Sequence, residues 1–438
     1  MDHTPGVAFY TLGCKLNFAE TSTIERMFVE RGFNKIDFNS SADIVVINTC
    51  TVTSSAEKKC RNIINKAIRR SPGAYIIVVG CYSQLKAYDI AKISGVDLVL
   101  GSDEKFRIFD YAGNFKKGGE PVVYSSEITD ESAFTSSYSL SGRTRSFLKI
   151  QDGCDYFCSY CTIPLARGRS RSASIEEIIL QANKIAECGV KEVVLTGVNI
   201  GDFGRSAPYK LPELLIRLQE ETVVERYRIS SVEPDLLNDE IISLVAQSQK
   251  FAPHFHLPLQ SGCDRILKSM NRKYRKSLFT ERVEKIREKI PDAGIGADVI
   301  TGFPGETEMD FNETAEFLQN ADIAFLHIFS YSERNNTIAS KLPGKVPPEE
   351  KEQRSKILHR ISEEKHNSFL DRCRGQTHKV LFEEFNKKGR MLGFTGNYIR
   401  VEAPGERKAI NSIIEVKLLA AGEDGIMKGM VKNNNKNH

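Results

Sequence analysis

Cys154-Asp-Tyr-Phe-Cys158-Ser-Tyr-Cys161 sets the reading of this chain. Three thiols at a CxxxCxxC spacing suit one soft-metal centre held by a single tight loop. They are one short of the four that normally fill a 4Fe-4S cluster. An iron left without a protein ligand can bind a small molecule, as an open coordination position marks a catalytic metal. A structural zinc knuckle would need a fourth Cys or His nearby, and none lies within the twenty residues downstream.

The stretch follows a strand-like Phe147-Leu-Lys-Ile150 and carries Tyr160 before its last cysteine. With that setting it resembles the signature of the radical S-adenosylmethionine (SAM) enzymes. The resemblance implies a cluster whose open iron is chelated by SAM, with reductive cleavage to a 5′-deoxyadenosyl radical.

Outward from the loop, residues 143–345 alternate strand and helix. Strands are predicted at 147–150, 192–196, 227–232, 254–259, 295–300 and 324–331. The clearest helix is 175–188, where Ile175, Ile178, Ile179, Ala182, Ile185 and Ala186 form one stripe. Ser174 and Glu177 make a capping box at its start. About six βα units predict a curved parallel sheet or partial barrel, with its chemistry at the carboxyl ends of the strands. Pro347-Pro348 opens a long charged helix reaching about 372. Beyond it, short strands at 377–383, 391–394, 398–402 and 413–419 predict a small β-barrel.

Upstream, apolar runs at 7–12, 44–47, 75–79 and 97–100 alternate with helices, which predicts an open, doubly wound parallel sheet. Cys14, Cys50 and Cys81 each follow one of the first three runs. Neighbouring parallel strands bring their carboxyl ends to one edge, so these thiols are expected to converge on a second 4Fe-4S cluster with an open iron. Cys60 and Cys188 read as core thiols. Cys263 and Cys373 lie near element boundaries. A Ser-, Gly- and Thr-rich stretch near 111–142 reads as a linker. The fold class is therefore α/β: domains at 1–125 and 143–372, then a small β-barrel at 373–438.

Thr11-Leu-Gly-Cys14-Lys-Leu-Asn17, Asn48-Thr-Cys50-Thr-Val52 and Gly80-Cys81-Tyr82 resemble the N-terminal domain of the methylthiotransferases, a branch of the radical SAM enzymes. His256-Leu-Pro-Leu-Gln-Ser-Gly262 and Asp298-Val-Ile-Thr-Gly-Phe-Pro-Gly-Glu-Thr307 resemble its further motifs. The last barrel resembles its RNA-binding TRAM domain. Gly13-Cys-Lys-Leu-Asn17 is similar to the form that modifies threonylcarbamoyladenosine at position 37 of tRNA. Other forms act on isopentenyladenosine or on a ribosomal-protein aspartate. Cys263 stands where the family often has Ser. The resemblance implies that the Cys154/Cys158/Cys161 cluster generates the radical and the Cys14/Cys50/Cys81 cluster carries the transferred sulfur. Both should then open onto one cavity. Tyr160, Thr196, Gly197, Glu233, Gln260 and Asp298, near the ends of predicted strands or beside the cluster, are expected to hold SAM.

Composition is 40% hydrophobic and 27% charged. No stretch is apolar enough to span a bilayer, and no basic-then-apolar leader is present. That reading puts the chain in the cytoplasm, off membranes, with its ten cysteines reduced. Residues 374–438 carry 12 basic against 7 acidic side chains. That excess fits phosphate contact with a tRNA anticodon stem-loop, rather than DNA. Arg167 to Arg171 and the ten basic residues within 265–289 are further phosphate candidates. His254 and His256 are expected to pack rather than react. Reductive cleavage requires an electron donor, a reductase or a flavodoxin or ferredoxin. The alternative from another class is an iron–sulfur RNA-binding sensor without turnover.

Overall fold

The computed structural model describes residues 4–51, 53–128, 134–140 and 144–432. Six parallel strands form the first sheet: β1 (Gly6–Thr11), β2 (Asn34–Ile36), β3 (Ile44–Thr49), β4 (Tyr75–Gly80), β5 (Leu98–Leu100) and β6 (Val122–Tyr124). Their order is β2-β1-β3-β4-β5-β6. The helices are α1 (Lys15–Val29), α2 (Ser54–Arg70), α3 (Cys81–Ala91) and a short α4 (Ile108–Tyr111). Alternate residues of β3 and β4 enter two separate cores: Val45, Ile47, Ile76 and Val78 in one, Ile44, Val46, Ile77 and Val79 in the other. Cover on both faces explains why these strands read as continuous apolar runs.

A second curved sheet follows. Its strands are β7 (Ser137–Tyr138), β8 (Arg145–Lys149), β11 (Glu192–Thr196), β12 (Arg226–Ile229), β13 (His254–Gln260), β14 (Gly294–Thr301) and β15 (Phe325–Ser330), with β9 (Gln151–Asp152) and β10 (Arg171–Ser172) as a small ribbon. The order β12-β11-β8-β7 continues into β13-β14-β15 through bridges at Tyr227–Phe251 and Ser231–His256. All neighbours are parallel except β7, which pairs antiparallel with β8. The helices are α5 (Ile163–Arg167), α6 (Ile175–Glu187), α7 (Leu211–Glu221), α8 (Asp239–Gln247), α9 (Asp264–Ser269), α10 (Lys276–Lys289), α11 (Glu308–Asn320) and α12 (Pro348–Cys373). Leu148, Val193, Leu195, Tyr227, Ile229, Phe255, Leu257, Ile295 and Ala297 pack outward into one core with these helices. By strand alternation, Arg145, Phe147, Lys149, Glu192, Thr196, Arg228, His254, His256, Asp298 and His327 face the lumen.

The C-terminal strands β16 (Thr377–Phe385), β17 (Met391–Thr395), β18 (Arg400–Ala403), β19 (Ile413–Ala421) and β20 (Met427–Val431) close a barrel in the order β16-β17-β18-β20-β19. This barrel seals the starting ends of the lumen strands. Arg228 donates to the carbonyls of Gly396 (2.8 Å) and Thr395 (3.2 Å), Arg226 to those of Lys379 and Phe394 (both 3.3 Å). Arg145 pairs with Glu383 at 2.7 Å.

Several features differ from the sequence expectation. β2 and β20 are additional strands, too short or too polar to stand out. Within the expected linker, β6 extends the first sheet and β7 the second, and the Tyr138 carbonyl accepts from Arg26 at 2.9 Å. Residues 129–133 and 141–142 of that stretch lie outside the described residues. Cys188 is exposed, not core, because it sits at the C-cap of α6 where the chain turns away. No helix among the described residues is long and apolar enough to cross a membrane.

Candidate active site

The Cys154–Cys161 loop leaves β9 and is pinned on all sides. Cys154 N–H bonds the Gly168 carbonyl (3.0 Å), Ser159 N–H the Met270 carbonyl (3.0 Å), and Asn271 Nδ2 the Phe157 carbonyl (3.0 Å). Donors point at the three sulfurs: Tyr156 N–H to Cys154 Sγ (3.5 Å), Ile163 N–H to Cys161 Sγ (3.5 Å) and Arg272 Nη1 to Cys158 Sγ (3.0 Å). Burial pushes the Cys154 and Cys161 thiols up to about 12. Burial also raises Cys158, with Arg272 opposing it. Thiols of this kind ionise when a metal supplies the compensating charge. Three convergent sulfurs with N–H donors fit a 4Fe-4S cluster with one open iron.

The second trio is assembled by sheet register. Thr11 lies opposite Asn48, and Thr49 opposite Gly80, so Cys14, Cys50 and Cys81 leave one sheet edge together. Cys14 caps α1 and Cys81 begins α3, so both thiols sit at positive helix ends. Gly13 lies against Cys50: a Cβ there would stand 3.1 Å from Cys50 Sγ. Asn17 ties the edge together, donating to the Leu12 (2.7 Å) and Thr49 (3.0 Å) carbonyls. Cys14 Sγ donates to Asn17 Oδ1 at 3.7 Å. Cys60 is buried behind the trio, its thiol bonded to the Cys50 carbonyl at 3.4 Å and pushed up to about 11 by burial. This donor set also fits a cluster with an open iron.

Arg167 ties the Cys81 edge to Asp152 in β9, the strand that leads into the Cys154–Cys161 loop. From the end of α5 it reaches Cys81 Sγ (3.2 Å) and Asn17 Oδ1 (2.7 Å). It also pairs with Glu20 (2.9 Å) and Asp152 (3.0 Å). Lys105 and Lys149 join the same two carboxylates at 2.8–3.2 Å. All five side chains are at most 3% exposed. Burial alone would raise both carboxyls, yet the surrounding cations hold Glu20 and Asp152 far below the usual carboxylate range. Arg167 is therefore not a phosphate contact, which corrects the sequence expectation. Arg171 is likewise turned inward, 3.7 Å from Asp103 and Asp152, while Arg169 stays exposed. Within 265–289, Arg265, Lys276, Arg282, Lys285 and Arg287 are paired with acids, and Arg272 is buried.

Of the residues expected to hold SAM, Tyr160, Gln260 and Asp298 share one cavity, and Glu233, Thr196 and Gly197 are placed by contacts of their own. Glu233 pairs with Arg272, the same guanidinium that meets Cys158; burial outweighs that partner and pushes Glu233 up to about 7. Gly197 follows β11, and the next two backbone N–H groups bond Gln151 Oε1 at 3.0 and 2.9 Å. Thr196 is buried at the strand end. Tyr160, Gln260 (φ +68°) and Asp298 line a cavity of about 260 Å³ together with Thr53, three residues beyond Cys50. This chamber takes Tyr160 from the Cys154–Cys161 loop and Thr53 from the segment after Cys50. Asp298 accepts from His256 Nε2 (2.8 Å) and lies 3.2 Å from His327 Nδ1, which holds its carboxyl well down after burial is overcome. His256 is therefore a chamber residue, not packing.

Comparison with known proteins agrees with this geometry. A model of the radical SAM superfamily matches residues 148–318, and a model of the uncharacterised protein family UPF0004 matches residues 6–101. The threonylcarbamoyladenosine tRNA methylthiotransferase MtaB of Bacillus subtilis is 38% identical, covering 95% of this chain and 94% of the relative. The chain belongs to the methylthiotransferase family of radical SAM enzymes. It is a methylthiotransferase that uses SAM and 4Fe-4S clusters. The Aquifex aeolicus enzyme of the same name is 39% identical, covering 94% of this chain and 99% of its own. A tRNA-2-methylthio-N6-dimethylallyladenosine synthase of Clostridium tetani is 31% identical over 93% and 92%. Among solved structures, a radical SAM methyltransferase, TsrM from Kitasatospora setae with cobalamin and a 4Fe-4S cluster bound, shares the fold at a TM-score of 0.56, 14% identity and 77% coverage of each chain.

Sequence reasoning missed Arg167, Arg272 and Asn17 as members of this site. Glu20 within an apolar helical stripe and Lys149 inside a strand were signals, since unpaired charges are rarely buried.

Proposed function

We propose that this methylthiotransferase converts N6-threonylcarbamoyladenosine at position 37 of tRNA, in the anticodon stem-loop, to its 2-methylthio derivative. The observation that carries the reaction is the pair of thiol trios, one in the Cys154–Cys161 loop and one at the sheet edge, with Arg167 running from Cys81 Sγ to Asp152, two residues before Cys154. The substrate reading draws support from relatives of that name at 34–39% identity over nearly the whole chain. Six residues are the proposed cluster ligands: Cys14, Cys50 and Cys81 for one cluster, Cys154, Cys158 and Cys161 for the other. Bound clusters and SAM supply the radical and the sulfur needed at an unactivated C–H bond, which no side-chain acid or base can open. The chain's own residues position and enclose. Arg272 holds Glu233 beside Cys158, ready for the amino acid of SAM. Gln151 shapes the Gly197 turn for the same ligand. Tyr160, Thr196, Gln260 and Asp298 complete that pocket. The functional domains are 1–125, 143–372 and 373–438, and the enzyme works in the cytoplasm with a reductase, flavodoxin or ferredoxin as electron donor.

Mass spectrometry of nucleosides from a deletion strain tests the substrate: 2-methylthio-threonylcarbamoyladenosine disappears. Its persistence, or loss of the isopentenyl form instead, overturns the assignment. Purified enzyme should carry about eight iron and eight sulfide per chain. Cys50→Ala should lose about half of each and still form 5′-deoxyadenosine, whereas Cys158→Ala should form none.

A further inference from the structure

We infer that the chamber floor is an anion subsite, built around Lys15 with Arg145, Arg228 and His254, that takes the carboxylate carried by the N6 substituent of the substrate adenosine. The inference rests on the threonylcarbamoyladenosine reading above.

The placement comes from α1. Along this helix Phe18 meets Phe147 (ring centroids 6.4 Å apart) and Glu20 meets Lys149 (3.2 Å), so its first turn continues toward Arg145 at the start of β8. Lys15, next to Cys14, is therefore delivered into the lumen. It is exposed, and Arg228, Arg145 and Glu192 are among the charges acting on it. The surrounding charges do not balance. Lys15, Arg145, Arg226 and Arg228 are four cations. Glu192 is held by Arg226 and Arg228 (2.9 Å to the latter), and Glu383 by Arg145 (2.7 Å). Among the described residues no carboxylate makes an ion pair with Lys15.

A second observation points to a ligand. His254 is only 7% exposed, faces the lumen, and neither ring nitrogen has a hydrogen-bond partner. It lies against the Tyr398 ring (4.9 Å between centroids), and Arg228, His256 and Lys15 are among the charges it feels. A buried imidazole without partners is costly unless something else supplies them. An unpaired ammonium and an imidazole without partners, beside guanidiniums already held by Glu192 and Glu383, form a net positive patch. Such a patch fits a carboxylate better than an apolar isopentenyl group, which would leave the buried imidazole without a partner. A threonylcarbamoyl group ends in that carboxylate.

The test uses anticodon stem-loop RNA bearing threonylcarbamoyladenosine, either as the free acid or with its carboxylate converted to the primary amide. Binding is read by fluorescence anisotropy, and turnover by KM and kcat, on the whole cluster-loaded enzyme. Wild type should prefer acid over amide roughly ten- to hundredfold in Kd and KM. Lys15→Gln should erase that preference and Lys15→Arg should keep most of it. An RNA phosphate or the carboxylate of SAM is the other source of an anion here. Both are unchanged by the acid-to-amide swap, so a loss equal on the two RNAs overturns the subsite. Wild-type turnover of the acid RNA with no preference over the amide overturns the subsite alone. No turnover of the acid RNA overturns the substrate reading and the subsite together.

Discussion

At the scale of single residues, the charges buried between the two thiol trios dominate. Arg167 belongs to five groups that are individually costly to desolvate and tolerable only together. Arg167→Met should lower stability by roughly 3 kcal/mol and loosen the cluster at Cys81, read as a lower Tm with iron loss confined to one cluster. An unchanged Tm would remove its bridging role. Glu192 gives a pH signature. Arg228 and Arg226 outweigh burial and depress its pKa to about 2. A depressed carboxyl stabilises the fold above its unfolded value near 4.3, and that contribution, about 3 kcal/mol, is lost as pH falls toward about 2. Glu192→Gln should therefore flatten the acid limb of denaturant titrations followed by circular dichroism. An acid limb as steep as wild type would show that other groups carry it. The cysteines of both trios could be read from spacing and position after strands. The groups that serve them could not: Arg272 and Arg167 carry no motif of their own, and only folding shows which acids they meet.

At the scale of elements, parallel register does the assembling. β1, β3 and β4 end level, and Gly80 lets the third strand finish against its neighbour. It has φ +102°, and a Cβ there would stand 2.4 Å from Asn48 Oδ1 and 2.7 Å from the Thr49 carbonyl. Gly80→Ala should displace Cys81, so the protein should hold about four iron rather than eight and still cleave SAM. Full iron content would mean the edge tolerates the shift. The alternation of apolar runs and amphipathic helices made the two parallel sheets legible, since strands buried on both faces are apolar throughout. β7 and β20 escaped that signal: two residues cannot show a period, and Met427-Lys-Gly-Met-Val431 mixes glycine and lysine into a barrel strand.

At the scale of the whole molecule, the C-terminal barrel is a structural floor as well as a basic surface. Its carbonyls receive Arg226 and Arg228, and α12 places Phe369, Leu370 and Cys373 in its core. Removing residues 374–438 should expose that apolar patch and strand the two guanidiniums, giving an aggregating protein rather than one that merely binds RNA weakly. A monomeric, cluster-loaded truncation in light scattering would refute this. The last consequence comes from Glu20. It sits less than two turns along the helix that Cys14 caps, and it is bonded into the far side of the chamber at Lys149 and Arg167. A hinge opening between the first two domains would have to break these buried ion pairs. The first two domains should therefore stay together while nucleic acid comes and goes. Amide hydrogen exchange in α1 and β8 should then be equally slow with and without RNA.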